Sequence, residues 1–200
     1  SNRMINPDTL FKVSYGLYIV SSGDSTRGNG FISNTVFQVS SEPAKFATCC
    51  NKKNFTSDLI KRHGAFSVSI LEQQCSAETM GKFGFKSGRE LDKMAGSRVI
   101  YGDTGVPVVL DHCLAWFECR VLETLDVGTH LMFIGELVRS EMIDSSKEAL
   151  TYEYYRAVKN GRSPENAPTY VRHEAKATRK PVAGRKRYKC LVCGYIYDDA

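Results

Sequence analysis

The chain has 200 residues, of which 42% are hydrophobic and 24% charged, with a formal net charge of +5, a composition typical of a globular domain with a core of useful size. No apolar run approaches the roughly 20 residues that a membrane-spanning helix needs, so we expect no membrane contact. The cysteine count is odd, at 7, and no secretion signal is visible, which predicts reduced thiols in the cytoplasm instead of a disulfide framework.

The first half of the sequence predicts a helix followed by short strands. Asn6-Pro7-Asp8 is typical of a helix start, with proline in the first turn and an acid beside it, and we expect a helix over residues 7–14. Segments rich in β-forming residues predict strands over 16–22, 30–40, 46–51 and 66–71. Residues 54–63 have a polar start and a basic end, which favours a short helix.

The second half predicts two further helices and a long hairpin. Ser76 is a suitable N-cap for a helix over 76–83, and an irregular loop is expected over 85–93. Two long strands over 113–125 and 130–142 flank a turn at 126–129. A last helix is expected over 146–159, before Asn160-Gly161. Short strands with inserted helices and no βαβ alternation predict a mainly β fold, a closed antiparallel barrel.

A basic segment follows this domain. Residues 172–187 are rich in lysine and arginine, with Glu174 as their acid. A basic block can bind nucleic acid, but Pro181, Ala183 and Gly184 favour a solvated linker, and no aromatic residue lies between the charges to stack on bases. We therefore expect a folded domain over 4–171, a linker over 172–187, the start of another domain over 188–200, and no nucleic-acid partner.

Motifs of several enzyme classes are missing from the sequence. Gly28-Asn-Gly30 begins like a dinucleotide-binding motif, but Ser33 stands where the third glycine belongs. The sequence contains no phosphate loop of the Gly-x-x-x-x-Gly-Lys type, no His-Glu-x-x-His metal motif and no Gly-x-Ser-x-Gly nucleophile motif. We assign no catalytic side chain.

Polar and basic residues cluster at the start of the second predicted helix. They are Asn51, Lys52, Lys53, Asn54 and Thr56. Free N–H groups, a hydroxyl and two ammonium groups within one helical turn suit a phosphate. The alternative is that Asn54 or Thr56 caps the helix and that the lysines are solvated.

Residues 4–170 resemble the flavin reductase-like family, the FMN-binding split barrels. The similar stretches occur in the family's order and are YGLYIV (15–20), NGFISNTVFQVS (29–40), PAKFATCCNKKNFT (43–56), GFKSGRELDK (84–93) and GTHLMFIGE (128–136). The resemblance implies FMN as cofactor, held at the isoalloxazine, at the phosphate and by a loop and a histidine near the ring. For the isoalloxazine, the resemblance implies Asn34, Thr35 and Val36. For the phosphate, it implies Asn51, Lys52, Lys53, Asn54 and Thr56. The residues implied near the ring are Ser87, Gly88, Arg89 and Lys93 of the loop, and His130.

The other cysteines and histidines receive no role. Cys49 and Cys50 stand where the family often has apolar residues, and the five cysteines before the linker are expected to be buried packing residues. His112 is either a ligand or a core residue, and we expect a core residue.

Residues 188–199, YKCLVCGYIYDD, resemble the first metal knuckle of rubredoxin. A one-iron centre of this kind needs four thiolates, and Cys190 and Cys193 supply two. We expect that the chain ends inside a rubredoxin domain and that it binds iron only if a second knuckle is present.

These features predict an oxidoreductase that passes electrons from NAD(P)H through bound FMN to a rubredoxin centre or another redox partner. One alternative is an electron-transfer protein of the flavoredoxin type, reduced by a protein donor. Another is a zinc or nucleic-acid module built on the knuckle and the basic segment. We also expect a homodimer, because the aromatic segment with Tyr152, Tyr154, Tyr155 and Tyr170 offers more apolar surface than a lone surface helix needs.

Overall fold

The computed structural model describes residues 4–159, 161, 166–169, 187–189 and 196–198. Its helices are α1 (Pro7–Leu10), α2 (Phe55–His63), α3 (Ala77–Phe85) and α4 (Tyr152–Ala157). Its strands are β1 (Tyr18–Gly23), β2 (Gly28–Ser33), β3 (Val36–Ser41), β4 (Ala44–Asn51), β5 (Ala65–Leu71), β6 (Val99–Tyr101), β7 (Pro107–Val109), β8 (Cys113–Asp126), β9 (His130–Met142), β10 (Arg187–Lys189) and β11 (Ile196–Asp198).

One antiparallel sheet organises the domain. It has seven strands in the order β2-β1-β5-β8-β9-β4-β3. The strands at its two edges, β2 and β3, are joined through Asn34 and Thr35 alone, so the edges of the sheet must meet there. The Thr35 carbonyl accepts a hydrogen bond from the Cys49 N–H at 3.3 Å. The sheet therefore curls into a barrel that is split between β2 and β3, and the expected mainly β fold is confirmed, with the barrel left open.

Two apolar clusters lie on the two faces of this sheet. The inner cluster fills the barrel and contains Phe66, Phe117 and Phe133. The second packs α3 and α4 against the outer side of β1 and β5, and includes Phe83 and Tyr152. Burial of aromatic side chains of this size makes the largest contribution to a core per residue. The α3 end that carries Phe83 is thereby fixed beside β2.

The strand expected over residues 30–40 is wrong, because it is two strands. The chain leaves the ladder at Asn34 and Thr35. The Thr35 N–H donates to Ser33 Oγ at 3.1 Å, and the Thr35 hydroxyl donates to Asn34 Oδ1 at 3.0 Å. Local side-chain bonds of this kind replace backbone pairing, and they turn the chain from one edge of the sheet to the other.

Two predicted helices are shorter than expected. The first ends at Leu10 instead of residue 14; it buries no residue, so packing does not extend it. The last spans Tyr152–Ala157 instead of 146–159, because β-bridges pair Glu72 with Ala149 and Gly16 with Thr151. The β6–β7 hairpin was not predicted at all.

The five cysteines before the linker are free and buried, as expected. Burial raises the pKa of the Cys75 thiol to about 12, which keeps it neutral and suits a packing role. His112 is not a core residue: it is half-buried with a left-handed backbone (φ 53°), and its Nδ1 lies 3.1 Å from Glu72 Oε1.

The C-terminal part is described in two short pieces. Strands β10 and β11 pair antiparallel, with Tyr188 opposite Tyr197. Cys190, Cys193 and residues 172–186 lie outside the described residues, so the predicted linker and metal ligands receive no structural account. No helix in the described ranges is long and apolar enough to cross a bilayer.

Candidate functional site

A cleft of about 280 Å³ opens beside the junction of the two sheet edges. Strand β2, the turn before α2, the end of α3 with its following loop, the start of β9 and residues 166–168 all contribute to it. Its lining residues are Phe31, Ile32, Asn51, Lys53, Asn54, Phe55, Phe83, Gly84, Phe85, Lys86, Ser87, Gly88, Lys93, His130, Asn166, Ala167 and Pro168.

The start of α2 forms a polar end of the cleft. Asn54 is the N-cap, and its Oδ1 accepts the Thr56 N–H at 2.9 Å. Asn51 Oδ1 accepts the Lys53 N–H at 2.9 Å. Asn54 therefore caps the helix, which confirms one part of the alternative interpretation. Lys53 is exposed and has no ion pair among the described residues. The positive end of the helix dipole and this ammonium favour an anion here.

Two residues expected at this anion site are engaged elsewhere. Thr56 is 0% exposed, and its Oγ1 accepts the Asn29 Nδ2–H at 2.9 Å. Lys52 Nζ donates to Asp126 Oδ2 at 2.6 Å, across the turn between β8 and β9. Neither residue lines the cleft. The sequence pattern could not separate Lys53 from Lys52, because only the fold brings Asp126 to one of them.

The loop after α3 closes one side. Gly88 is buried there, and a Cβ at this position would lie 2.2 Å from Asn29 Oδ1, so the close approach requires glycine. Ser87 Oγ accepts the Arg89 N–H at 3.2 Å. Arg89 does not line the cleft: its guanidinium pairs with Asp58 at 2.6 Å and lies over the ring of Phe55, a lining residue, at 5.1 Å.

Lys93 is a buried cation in the wall of the cleft. Its exposed fraction is 2%. Its Nζ donates to the Gly30 carbonyl at 3.1 Å and to the Phe83 carbonyl at 3.3 Å. Burial lowers the pKa of Lys93 to about 8, because removal from water disfavours the charged form.

Residues 166–169 are here called the strap, and the first three of them, Asn166, Ala167 and Pro168, line the cleft. The Asn166 carbonyl accepts His130 Nε2–H at 3.1 Å and Asn51 Nδ2–H at 3.2 Å. Since His130 Nε2 donates, its Nδ1 accepts the Thr129 hydroxyl at 2.7 Å, which fixes the neutral tautomer. Burial lowers the pKa of His130, so the ring is neutral at pH 7.

Asn34 holds the other end of the strap. Its Nδ2 donates to Thr169 Oγ1 at 2.5 Å. Asn34 lines a smaller adjoining cavity of about 30 Å³, which shares Ile32, Gly84 and Phe85 with the cleft. The strap therefore contacts three residues that the sequence assigned to the cofactor: Asn34, Asn51 and His130.

Some of the residues that the sequence assigned to the cofactor line the cleft. Seven expected residues line it: Asn51, Lys53, Asn54, Ser87, Gly88, Lys93 and His130. Thr35, Val36, Lys52, Thr56 and Arg89 do not, and Asn34 lines the adjoining cavity. The aromatic lining residues Phe31, Phe83 and Phe85, together with Lys86 and the strap, were not predicted. No sequence signal separates a phenylalanine that lines a cleft from one in the core.

The lining fits a flavin mononucleotide. The cleft joins an end that favours an anion to a region with the Phe31, Phe83 and Phe85 side chains, as a phosphate and a flat apolar ring require. The buried Asn29 Oδ1, beside Gly88, has no hydrogen-bond partner in the described residues. Such an orphan acceptor is unusual in a folded protein; Asn29 lies behind Gly88 and does not itself line the cleft.

A family model described as "Flavin reductase like domain" matches residues 10–161. A ferric-chelate reductase (NAD(P)H) of Archaeoglobus fulgidus is 44% identical over 163 residues, which cover 82% of this chain and 96% of that protein. The high molecular weight rubredoxin of Moorella thermoacetica is 39% identical over 189 residues, covering 94% of this chain and 81% of that protein.

Solved structures agree on the fold. An FMN-binding protein from Thermus thermophilus matches with a TM-score of 0.67 at 24% identity, covering 76% of this chain and 89% of that one. A flavoredoxin from Methanosarcina acetivorans matches with a TM-score of 0.65 at 20% identity, covering 76% and 91%. With its cleft, its split barrel and these relatives, the chain belongs to the flavin reductase-like domain family and is an FMN-dependent oxidoreductase.

Proposed function

We propose that this protein takes electrons from NAD(P)H through bound FMN and passes them to a rubredoxin-type iron centre or another redox acceptor. The observation that carries the proposal is a single cleft with an anion-binding end, aromatic walls and a buried ammonium. The relative from Archaeoglobus fulgidus, named as an NAD(P)H-dependent reductase, supports the donor. The relative named as a rubredoxin supports the acceptor.

The residues that would hold FMN divide by chemistry. Lys53, with Asn51 and Asn54 at the start of α2, would hold the phosphate. Asn34, Thr35 and Val36, at the junction of β2 and β3, would hold the ring edge, and Ser87, Gly88, Lys93 and His130 would lie near the ring. FMN supplies the chemistry, since it accepts a hydride from nicotinamide and releases electrons singly. The protein supplies position, apolar walls that exclude water and a neutral His130.

The phosphate assignment is tested by comparing FMN with riboflavin, which lacks the phosphate. We expect the protein to bind FMN at least tenfold more tightly, because about 1.5–3 kcal/mol is typical of a hydrogen bond to a charged group. Titration followed by flavin fluorescence measures both affinities. Equal affinity for the two compounds would contradict the assignment of the phosphate to the end of the cleft at α2.

The acceptor proposal depends on ligand number. Cys190 and Cys193 supply two thiolates, and a rubredoxin iron needs four. Iron binding therefore requires a second knuckle to complete the site, with residues 172–187 as the linker between the two redox centres. Metal analysis of the chain with and without an added Cys-x-x-Cys segment tests this arrangement, and we expect iron only with the addition.

A second candidate is an electron-transfer protein that a protein donor reduces. The structural likeness to a flavoredoxin favours it only at the level of the fold. The two candidates differ in one observation, which is whether NAD(P)H alone reduces the bound FMN.

We also propose a homodimer, but on a different surface from the one the sequence suggested. Tyr152 and Tyr155 pack into the core of their own chain. The outer face of the sheet instead exposes Phe37 by 46% and Leu125 by 43%. In register with Phe37 across β4 and β9 stand Ala47, which is buried, and Ile134, which is half-buried. An apolar row of this kind on a sheet suits a second copy of the same surface.

A further inference from the structure

Lys93 is a buried charge without a counter-ion among the described residues. It is 2% exposed, and the ion pairs found in the described part of the chain do not include it. Its Nζ instead contacts two backbone carbonyls, those of Gly30 and Phe83. A buried charge is costly unless it is paired. The cleft therefore has a wall with an uncompensated positive charge.

The surroundings of Lys93 increase this positive field. The ionisable groups that act on it are Cys50 of β4 and Lys82 of α3. Burial raises the pKa of the Cys50 thiol, so that group is neutral at pH 7. Lys82 is a cation, whereas Lys53 and Lys86, which also line the cleft, are exposed and screened by water. None of the described lining residues is acidic.

The hydrogen bonds of Lys93 are also incomplete. An ammonium has three donors, and the carbonyls of Gly30 and Phe83 accept two of them. The remaining N–H has no acceptor among the described residues, although Lys93 lines the cleft. A ligand that presents an anionic acceptor would satisfy the donor and the charge together, with the strength of a charge-assisted hydrogen bond.

We propose that Lys93 is the counter-charge of the reduced flavin ring and therefore makes bound FMN easier to reduce. This inference rests on the proposed function. A hydride from NAD(P)H carries two electrons and one proton to the neutral oxidised ring, leaving NAD(P)⁺ and a ring with one negative charge. Lys93 transfers no proton in this step. Its ammonium binds the negative ring more tightly than the neutral one, which is how a nearby charge tunes a flavin.

Burial strengthens the effect of the Lys93 charge on the flavin ring. A solvated lysine would be screened and would discriminate little between the two redox forms. A desolvated ammonium, held in place by Gly30 and Phe83, acts at full strength. With a pKa of about 8, it is charged at pH 7, and the negative ring would raise that pKa further.

The test compares the reduction potential of bound FMN in the wild type with Lys93→Met. Lys93→Gln is the second variant, and Lys86→Met is the matched control. Loss of the buried charge should weaken binding of reduced relative to oxidised FMN by about 10- to 100-fold, equivalent to a potential about 30–60 mV more negative for a two-electron couple. Lys86→Met removes the same charge from an exposed lining position. We expect it to change the binding of reduced relative to oxidised FMN by less than threefold.

Three outcomes separate the inference from the proposed function. If both Lys93 variants still bind FMN and change the binding of reduced relative to oxidised FMN by less than threefold, the inference is overturned. The proposed function would then remain intact. An equal shift in Lys86→Met would also overturn it, because general charge would then explain the effect. A wild-type protein that fails to bind FMN would overturn the proposed function itself and, with it, the role given to Lys93.

Discussion

Replacing Lys93 with methionine should change how the stability of the flavin-free protein depends on pH. Folding lowers the pKa of this lysine from 10.5 to about 8. The charged form is therefore destabilised in the folded state, and this cost is fully present below pH 8. As the pH rises from 8 to 10.5, the cost disappears, because the lysine loses its proton in both states.

The size of the effect follows from the pKa difference. One pKa unit corresponds to about 1.4 kcal/mol, so the shift of Lys93 from 10.5 to about 8 gives a change of about 3 kcal/mol. We expect the unfolding free energy of the wild type, relative to Lys93→Met, to rise by that amount between pH 7 and 10.5. Lost hydrogen bonds to Gly30 and Phe83 add an offset that does not depend on pH.

Urea unfolding of the flavin-free proteins at several pH values measures this difference. Lys61→Met is the control, since Lys61 is an exposed residue of α2. The difference in unfolding free energy between Lys61→Met and the wild type should stay nearly constant over the same pH range. Parallel pH profiles for wild type and Lys93→Met would show instead that Lys93 is solvated in the folded protein and that its pKa is not lowered by burial.

Three other variants test the remaining parts of the site and surface. Lys53→Met should weaken FMN binding about fivefold, less at high salt, because the ammonium is exposed; an unchanged affinity in a fluorescence titration would contradict the phosphate assignment. Asn54→Ala should lower the unfolding free energy by about 1 kcal/mol through loss of the N-cap, and urea unfolding would contradict this if the midpoint did not move. Phe37→Asp should convert a dimer into a monomer in sedimentation equilibrium, and a wild type that already sediments as a monomer would refute the dimer.

The sequence predicted the β architecture because its signals are local. The turn at 126–129 and the strands on both sides follow from alternation and turn residues, and β8 and β9 match them closely. The break at Asn34 and Thr35 was missed because strand-forming residues such as Ile32 and Val36 flank it on both sides. The break depends on bonds with Ser33, and a pattern of hydrophobicity does not report them.

Tertiary pairing also overrode helix propensity. Residues 146–151 have a helical composition, but the Leu150 N–H donates to the Leu71 carbonyl at 2.8 Å. Leu71 is distant in sequence, so no local pattern contains this partner. The apolar surface expected at α4 is also absent at Tyr152 and Tyr155, because both pack against apolar residues of their own chain.

The candidate site could be predicted where the capping residue and the charged residue are neighbours in the sequence. Asn54 and Lys53 belong to one turn, and the sequence shows them together. Lys93 was assigned only through family resemblance. Its burial depends on carbonyls of Gly30 and Phe83, which only the fold brings together, so neither its missing counter-ion nor its lowered pKa could be read from the sequence.

Whether this protein oxidises NAD(P)H through bound FMN can be decided by an anaerobic titration of the FMN-loaded protein with NADH and, separately, NADPH. We expect at least one of them to remove the visible absorption of oxidised flavin without any added protein donor, at about one nicotinamide per flavin because both carry two electrons. Flavin that remains oxidised with both nucleotides, but is reduced by dithionite in the same cuvette, would contradict the claim.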